Sequence, residues 1–186
     1  MKNRALFLDR DGVINVDHGY VHRPDQFEFV DGMFDLCRHA RDLGYLIVVV
    51  TNQAGIGRGY YSEEAFHELT TWMGQRFADA GVEIAGTYFC PHHAEHGIGR
   101  YKRACDRRKP NPGMLLDAAR ELDIDLGGSI LIGDKESDIE AGRRAGLLRV
   151  IRFGTCGPTR ADHAVDHLPM AMRFLESSNL SATEQT

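Results

Sequence analysis

The chain has 186 residues, of which 42% are hydrophobic and 26% charged, and its formal net charge is −5. This size and composition predict a single globular domain, residues 1–186, with a sizeable core. The net negative charge offers no basic face for nucleic acid, and no apolar run approaches the roughly 20 residues of a membrane helix. We therefore expect neither nucleic acid nor a membrane as a partner.

Cysteine usage and the first residues bear on the compartment. The four cysteines are scattered along the chain, which favours a reducing compartment over a disulfide framework. The segment 1–4 leads into an apolar run of strand length and not into a secretory h-region. We expect a cytoplasmic protein, and a monomer, because no apolar helix stripe is left over beyond those that a core needs.

Apolar runs of strand length alternate with helical patterns along the chain. The runs are nearly continuous, as in parallel strands buried on both faces; they fall at 5–8, 46–50, 130–132 and 149–153. Apolar positions with helical spacing fall at 33–43, 66–77, 114–122 and 138–145. We expect Asp31 and Ser62 to cap the first two helices, Pro112 to lie near the start of the third, and Gly146 to end the fourth.

Strands that alternate with helices predict a doubly wound α/β fold with a mostly parallel sheet. No insertion of domain size separates the predicted elements, so we expect no large cap domain. Residues 90–108 are rich in Cys, His and Arg and are predicted to form a loop, and the polar residues 177–186 are predicted to be a frayed tail. Ligands of such folds bind beyond the carboxyl ends of the strands.

Polar motifs follow three of the predicted strands. Asp9 and Asp11 follow the first strand, Thr51 and Asn52 the second, and Asp134 and Lys135 the run at 130–132. In a parallel sheet these strand ends share one edge, and Lys109, just before a helix, can reach the same edge. Carboxylates beside amide, hydroxyl and ammonium groups suit a hard cation such as Mg²⁺ together with a phosphate.

The two neighbouring acids suggest a division of labour. One carboxylate can attack phosphorus and form an aspartyl-phosphate. The other can protonate the leaving alcohol and later deprotonate the attacking water. The sequence therefore predicts phosphoryl transfer, in which positioning and stabilisation of charge dominate.

The segments FLDRDGVIN, VVVTN, RKPNPG and LIGDKESD, in this order, resemble the four motifs of the haloacid dehalogenase-like phosphatases. The resemblance implies a Rossmann-like fold, with Asp9 as nucleophile and Asp11 as general acid/base. It implies that Thr51 and Lys109 bind the transferring phosphoryl group. It also implies a Mg²⁺ site formed by Asp9, Asp11 and Asp134, with Asp138 as a weaker candidate.

DRDGVINVDHGYVH, TNQAGIGRG, CPHH and CDRRKPNPGM resemble a narrower family, the D-glycero-D-manno-heptose-1,7-bisphosphate 7-phosphatases of lipopolysaccharide synthesis. This resemblance implies a small sugar phosphate as substrate, bound by two segments and three cations: Asp17, His18, Gly19 and Tyr20; Thr51, Asn52, Gln53 and Ala54; and Arg108, Lys109 and Lys135. The segments DHGYVH and RRKP are most similar to the enzymes that use the β-anomer.

The same family carries a structural zinc in a loop of pattern C-x-H…C-x-C. Cys90, His92 and Cys105 match three positions, and Arg107 stands where the fourth ligand is expected. Structural zinc is almost always bound by four ligands. Either His93 or His96 supplies the fourth ligand, or the metal is lost and Arg107 organises the loop by other contacts.

Two alternatives remain at this point. The histidinol-phosphate phosphatases are close relatives of the narrower family and would share its chemistry. A non-catalytic phosphate- or metal-binding module on the same scaffold is the alternative from another class, although binding alone does not require the nucleophile Asp9. A panel of phosphate esters assayed with Mg²⁺ separates the three.

Overall fold

The computed structural model describes residues 2–154 and 157–176. Its centre is a sheet whose strands are β1 Arg4–Leu8, β2 Tyr45–Asn52, β3 Ile84–Cys90, β4 Ile130–Gly133, β5 Arg149–Phe153 and β6 His163–Val165. All six strands are parallel, and their order across the sheet is β3-β2-β1-β4-β5-β6. The order runs outward in both directions from β1 and β4, which confirms the predicted doubly wound α/β fold.

The helices are α1 Met33–Asp42, α2 Ala54–Gly57, α3 Glu63–Asp79, α4 Gly113–Glu121, α5 Glu136–Ala145 and α6 Met172–Glu176. Short 3-10 segments add Pro24–Gln26, Gly99–Tyr101, Leu126–Gly128 and Leu168–Ala171. Within residues 2–154 no insertion of domain size interrupts the alternation of strands and helices. None of the helices in the described ranges has the length and apolarity to cross a membrane. The organisation as one domain stays a prediction, and the predicted tail at 177–186 lies outside the described residues.

Side chains of the central strands alternate between two apolar layers. Leu6 and Leu8 of β1 pack in the layer that contains the apolar faces of α1, α3 and α6. Ala5 and Phe7 pack in the opposite layer with α4 and α5. Both faces of β1 are therefore buried, which explains its continuous apolar run. Each fully buried large apolar side chain contributes roughly 1.5–3 kcal/mol, so the central strands form a rigid base for the loops at their ends.

The helix ends follow the predicted signals with one exception. The Ser62 hydroxyl accepts the Ala65 amide at 3.2 Å at the start of α3, and Gly146 ends α5 with a φ of 78°. Helix α1, however, begins at Met33 with Gly32 as its N-cap at a φ of 79°, so the prediction of Asp31 as the cap was wrong. Gly32 takes that place because Pro169 packs where a Cβ would lie, 2.7 Å from its Cδ atom.

Strands β3 and β6 were missing from the sequence prediction, and both lie at the edges of the sheet. An edge strand buries less of its surface and so needs no continuous apolar run. The predicted loop 90–108 starts at the last residue of β3 and contains only the turn Gly99–Tyr101. The strand order places the change of direction between β1 and β4, and the polar motifs stand at the ends of these two strands and of β2, which neighbours β1.

Candidate active site

A cavity of about 620 Å³ opens at the carboxyl ends of β1, β2 and β4. It gathers most of the residues predicted to bind substrate or to act in catalysis. Its walls include Asp9, Asp11, Asp17, Gly19, Tyr20, Thr51, Asn52, Gln53, Ala54, Arg108, Lys109, Lys135 and Asp138. His18 is absent from these walls, and its Nε2 instead contacts Glu28 Oε2 at 3.0 Å on the exposed side of the loop. The structure therefore does not bring His18 to the cavity.

Asp9 and Lys109 form the buried centre of the site. The Lys109 Nζ lies 2.9 Å from Asp9 Oδ1 and 2.7 Å from Asp138 Oδ1, and it donates to the Val50 carbonyl at 2.9 Å. An ammonium has three N–H donors, so all three are used in this arrangement. Lys109 thus fixes Asp9 and Asp138 directly, whereas the sequence predicted a contact with the phosphoryl group.

The backbone of Lys109 is held as firmly as its side chain. The Asn52 amide donates to the Lys109 carbonyl at 3.1 Å and accepts from the Lys109 N–H at 3.1 Å. This paired contact ties the loop before α4 to the last residue of β2. Asn52 was predicted to bind substrate; it lines the cavity, and its amide also aligns the backbone of Lys109.

Three carboxylates converge below the cavity floor. Ligand atoms of Asp9, Asp134 and Asp138 lie within 4.8 Å of one another. Burial raises the pKa of Asp9 to about 8; Lys109 opposes this rise, and the carboxylates of Asp138 and Asp134 add to it. Burial likewise raises the pKa of Asp134. The cluster therefore has more negative charge than Lys109 alone can balance, and a divalent cation would offset it.

The donor set fits Mg²⁺, which prefers one or two carboxylates together with water and phosphate oxygens. The Asp134 Oδ1 atom is buried and has no hydrogen-bond partner among the described residues. Gly12 lets Asp134 approach, because a Cβ there would lie 2.4 Å from Asp134 Oδ2 and its φ is 96°. The Asp11 side chain, predicted as a third ligand, is not part of this cluster.

The Asp11 carboxylate points instead into a network of donors. Arg10 is 1% exposed and binds both Asp11 oxygens through Nη2, each at 2.8 Å. Asn15 donates to Oδ1 at 3.1 Å and Gln53 donates to Oδ2 at 2.9 Å. Asp9 and Asp11 both line the cavity, but they have different partners. Asp9 pairs with Lys109, whereas Asp11 pairs with Arg10.

Thr51, the residue before the last of β2, lies beside this network. It is 1% exposed, and its hydroxyl oxygen accepts from Gln53 Nε2 at 2.8 Å. The Thr51 hydroxyl proton is then available to another acceptor at the cavity. Gln53 was predicted to bind substrate; it lines the cavity, but both of its amide N–H groups are directed to Asp11 and Thr51.

Cationic and aromatic side chains line the outer part of the cavity. Lys135 lies 3.4 Å from Asp17 and 3.7 Å from Asp134, and although burial lowers its pKa, these carboxylates and Asp9 raise it overall. The Arg108 Nη1 donates to the His92 carbonyl at 3.1 Å, which connects the cavity to the Cys/His loop. Arg58 also lines the cavity, with its guanidinium 6.0 Å from the Tyr20 ring centre.

The Cys/His loop brings three of its predicted ligands together. Ligand atoms of Cys90, His92 and Cys105 lie within 4.8 Å of one another, and Cys90 Sγ is 3.7 Å from His92 Nδ1. Arg107 turns away and donates to Asp117 at 2.7 Å. Neither His93 nor His96 joins the three in the described part of the chain; instead His93 Nδ1 accepts the amides of Glu95 and His96.

One cavity residue had no signal in the sequence. Tyr61 lies beyond the predicted motifs, yet its hydroxyl donates to Gln53 Oε1 and its ring lines the cavity. A lone tyrosine ahead of a helix cap is more often a packing residue. Only its contact across the loop of α2 marks it as part of the site.

Several known proteins are similar to this chain in sequence. The HAD-hydrolase-like family model matches residues 106–169. A D-glycero-alpha-D-manno-heptose-1,7-bisphosphate 7-phosphatase of Burkholderia mallei is 63% identical over 147 residues, 79% of this chain and 78% of that protein. A D-glycero-beta-D-manno-heptose-1,7-bisphosphate 7-phosphatase of Vibrio cholerae is 56% identical over 147 residues, 79% of each chain.

A solved structure extends the likeness to the tertiary level. The D,D-heptose 1,7-bisphosphate phosphatase of B. bronchiseptica, complexed with magnesium and phosphate, superposes with a TM-score of 0.80 at 27% identity. The match covers 94% of this chain and 98% of that one. By sequence identity and coverage, the chain belongs to the heptose-1,7-bisphosphate 7-phosphatases, a family of HAD-like hydrolases.

Proposed function

We propose that the protein hydrolyses the 7-phosphate of D-glycero-D-manno-heptose 1,7-bisphosphate with Mg²⁺ as cofactor. The observation that carries the proposal is the meeting of Asp9, Lys109 and the carboxylate cluster at the floor of one cavity, in a chain 63% identical to a named 7-phosphatase. Arg58, Arg108 and Lys135 at the outer cavity supply positive charge for the second phosphate of a bisphosphate. The cytoplasmic location and the monomeric state stay predictions.

The test is a substrate panel with purified protein and Mg²⁺. It contains both anomers of the heptose bisphosphate, histidinol phosphate and a simple aryl phosphate, and it is read as kcat/KM from phosphate release. We expect a heptose bisphosphate to exceed histidinol phosphate at least tenfold. A preference for histidinol phosphate would replace the proposal with that activity, and no turnover of any ester would favour a non-catalytic binding module.

The preference for the β-anomer stays a prediction. The relative at 63% identity is named for the α-anomer, and the relatives at 56% and 50% identity are named for the β-anomer. The two anomers differ only at C1, which lies at the far end of the substrate from the reacting 7-phosphate. The ratio of kcat/KM for the two anomers decides it.

The first half-reaction forms an aspartyl-phosphate on Asp9. The Asp9 Oδ1 atom is engaged by Lys109 at 2.9 Å and by the Arg10 amide at 2.8 Å. Oδ2 is therefore the oxygen that forms the new bond to phosphorus, while the bond between phosphorus and the C7 oxygen breaks. The leaving alkoxide takes a proton from protonated Asp11, and the Thr51 hydroxyl donates to a phosphoryl oxygen.

The second half-reaction regenerates the enzyme. A water molecule loses a proton to Asp11 and attacks phosphorus, the bond to Asp9 breaks, and inorganic phosphate leaves. The donors Arg10, Asn15 and Gln53 hold the Asp11 carboxylate in place beside the cavity during this proton transfer. Asp9 and Asp134 would hold Mg²⁺, which when bound supplies positive charge against the phosphoryl oxygens.

Replacing Asp11 tests its role as acid and base. We expect Asp11→Asn to lower kcat on the order of 10²–10⁴-fold, because the amide can neither protonate the leaving alcohol nor deprotonate water. Phosphate release is measured under saturating substrate. Asp42→Asn is the matched control, because Asp42 is exposed at the last position of α1 and pairs with Arg41. A kcat for Asp11→Asn within threefold of wild type would contradict the assignment.

We further propose that the Cys90–His92–Cys105 cluster binds zinc with a fourth position not supplied by residue 107. Tetrahedral zinc with bonds of about 2.3 Å to sulfur and about 2.0–2.1 Å to nitrogen separates the two ligand atoms by roughly 3.6 Å. The Cys90 Sγ to His92 Nδ1 separation of 3.7 Å matches this value. The support is the fit of three ligands; the identity of the fourth stays open between water, His93 and His96.

Metal analysis of protein purified without a His tag or chelator tests the zinc proposal. We expect about one zinc per chain in wild type and in the control Cys37→Ala, whose thiol lies on the buried face of α1, and little in Cys105→Ser. The His92 carbonyl accepts a hydrogen bond from Arg108, which lines the substrate cavity. Loss of the metal would release His92 and with it Arg108, so we expect Cys105→Ser to raise KM more than it lowers kcat. Clearly substoichiometric zinc in wild type would reject the proposal.

A further inference from the structure

The Gln53 side chain joins the two parts of the proposed mechanism. It is 1% exposed. Its Nε2 donates to Asp11 Oδ2 at 2.9 Å and to Thr51 Oγ1 at 2.8 Å. One amide thus contacts both the acid/base carboxylate and the hydroxyl that faces the phosphoryl group. The orientation of the Gln53 amide therefore decides whether Asp11 and Thr51 face an N–H donor or a carbonyl oxygen.

The hydrogen-bond directions in this network follow from chemistry. Arg10 donates to both Asp11 oxygens and Asn15 donates to Oδ1, so these oxygens act as acceptors here and the NH₂ end of Gln53 must face Oδ2. The carbonyl end, Oε1, then faces Tyr61, and since Oε1 can only accept, the Tyr61 hydroxyl must donate. With its oxygen occupied by the second N–H of Gln53, Thr51 keeps its proton for another acceptor.

Tyr61 is built firmly into this place. Its ring stacks on the His22 ring, with 5.0 Å between centres and 4° between planes. On another side the backbone of Gly55 leaves room for it, since a Cβ there would lie 2.3 Å from Tyr61 Cε1. Burial raises the pKa of the Tyr61 hydroxyl, which therefore stays protonated and able to donate.

We propose that Tyr61 is a positioning residue of the phosphatase reaction: its hydroxyl fixes the orientation of the Gln53 amide, which in turn fixes Asp11 and the proton of Thr51. The inference rests on the proposed function. Without the Tyr61 hydroxyl the amide loses the partner of its oxygen and can turn over. In the turned orientation Oε1 repels Asp11 and takes the Thr51 proton from the phosphoryl oxygen.

The test is a double-mutant cycle on Tyr61 and Gln53, with kcat and KM measured on heptose bisphosphate and Mg²⁺. We expect Tyr61→Phe to lower kcat about 5- to 50-fold, as for one lost partner in a buried network, with KM within about twofold. Gln53→Leu removes the amide on which Tyr61 acts. In that background Tyr61→Phe should change kcat by less than twofold.

Tyr88→Phe is the matched control, because Tyr88 also donates to a side chain, Glu121 at 2.9 Å, and lies in β3 outside the cavity walls. We expect both Phe variants to melt within a few degrees of each other while only Tyr61→Phe loses kcat. Wild-type kcat in Tyr61→Phe would overturn the inference, as would equal losses from Tyr61→Phe with and without Gln53. An inactive wild type would instead refute the proposed function.

Discussion

An Asp9→Asn variant is expected to bind the sugar bisphosphate and to release no measurable phosphate. The proposed first step makes a bond between Asp9 Oδ2 and phosphorus, and a neutral amide cannot form the acyl-phosphate. We expect kcat to fall more than 10³-fold, with substrate still bound because the outer cations Arg108 and Lys135 are untouched. Phosphate release and a direct binding measurement separate the two effects. Activity close to wild type would refute Asp9 as nucleophile.

The same variant makes a prediction about stability. Burial raises the pKa of Asp9 from 3.8 to about 8. In the metal-free protein the folded state therefore binds the Asp9 proton more tightly than the unfolded state does. Stability from this group therefore declines as the pH rises from about 4 toward 8. Asn removes that decline, while Lys109 keeps Asp138 and the Val50 carbonyl.

We thus expect the melting temperature of Asp9→Asn, in metal-free buffer at pH 8, to be at least as high as that of wild type. Asp42→Asn controls for the loss of a surface charge. A variant that melted well below wild type would show that the contact of Lys109 with Asp9 outweighs the burial of the carboxylate.

Removal of Mg²⁺ is expected to silence the enzyme, with phosphate release falling more than 100-fold. The three carboxylates of Asp9, Asp134 and Asp138 are then opposed by Lys109 and, beside Asp134, by Lys135, and the substrate phosphate adds further negative charge. The experiment is dialysis against EDTA followed by separate addition of Mg²⁺ or Zn²⁺. Because EDTA also removes zinc, recovery with Mg²⁺ alone assigns the effect to the carboxylate cluster. Full activity in EDTA would reject the metal's role.

A variant locates the Mg²⁺ requirement. Asp134→Asn removes one carboxylate whose Oδ1 has no other partner in the described ranges. We expect it to raise the Mg²⁺ concentration for half-maximal activity at least tenfold, and to reduce the rise in melting temperature on adding Mg²⁺. Asp42→Asn should behave as wild type in both measurements. An unchanged Mg²⁺ dependence in Asp134→Asn would remove Asp134 from the site.

The buried strands were readable from the sequence because their surroundings are simple. Strands β1, β2, β4 and β5 lie inside the sheet and left continuous apolar runs. The edge strands β3 and β6 left none, since Gly86 and Thr87 in β3 and His163 in β6 carry no such signal. In a parallel sheet the carboxyl ends of the strands lie at one edge. The sequence therefore predicted that Asp9, Thr51, Lys109 and Asp134 lie near one another.

The partners of each polar side chain were decided by tertiary structure alone. Sequence spacing placed Asp11 with the Mg²⁺ ligands, and packing instead turned its carboxylate toward the buried guanidinium of Arg10. His18 shares a segment with Asp17 and Tyr20, but its ring pairs with Glu28. Neighbouring residues of a loop can point in different directions, and backbone conformation that is not periodic leaves no pattern to predict which.

The sequence by itself determined the fold class, the edge of the sheet that carries the chemistry, and the residue types of a phosphatase. The tertiary structure decided that the Lys109 ammonium contacts Asp9, Asp138 and the Val50 carbonyl. It also decided that the Tyr61 hydroxyl donates to the Gln53 side chain. The physical reason is that burial and secondary structure leave periodic patterns of apolar residues in the sequence. The partner of a polar side chain, by contrast, depends on atoms that only folding brings within about 3 Å.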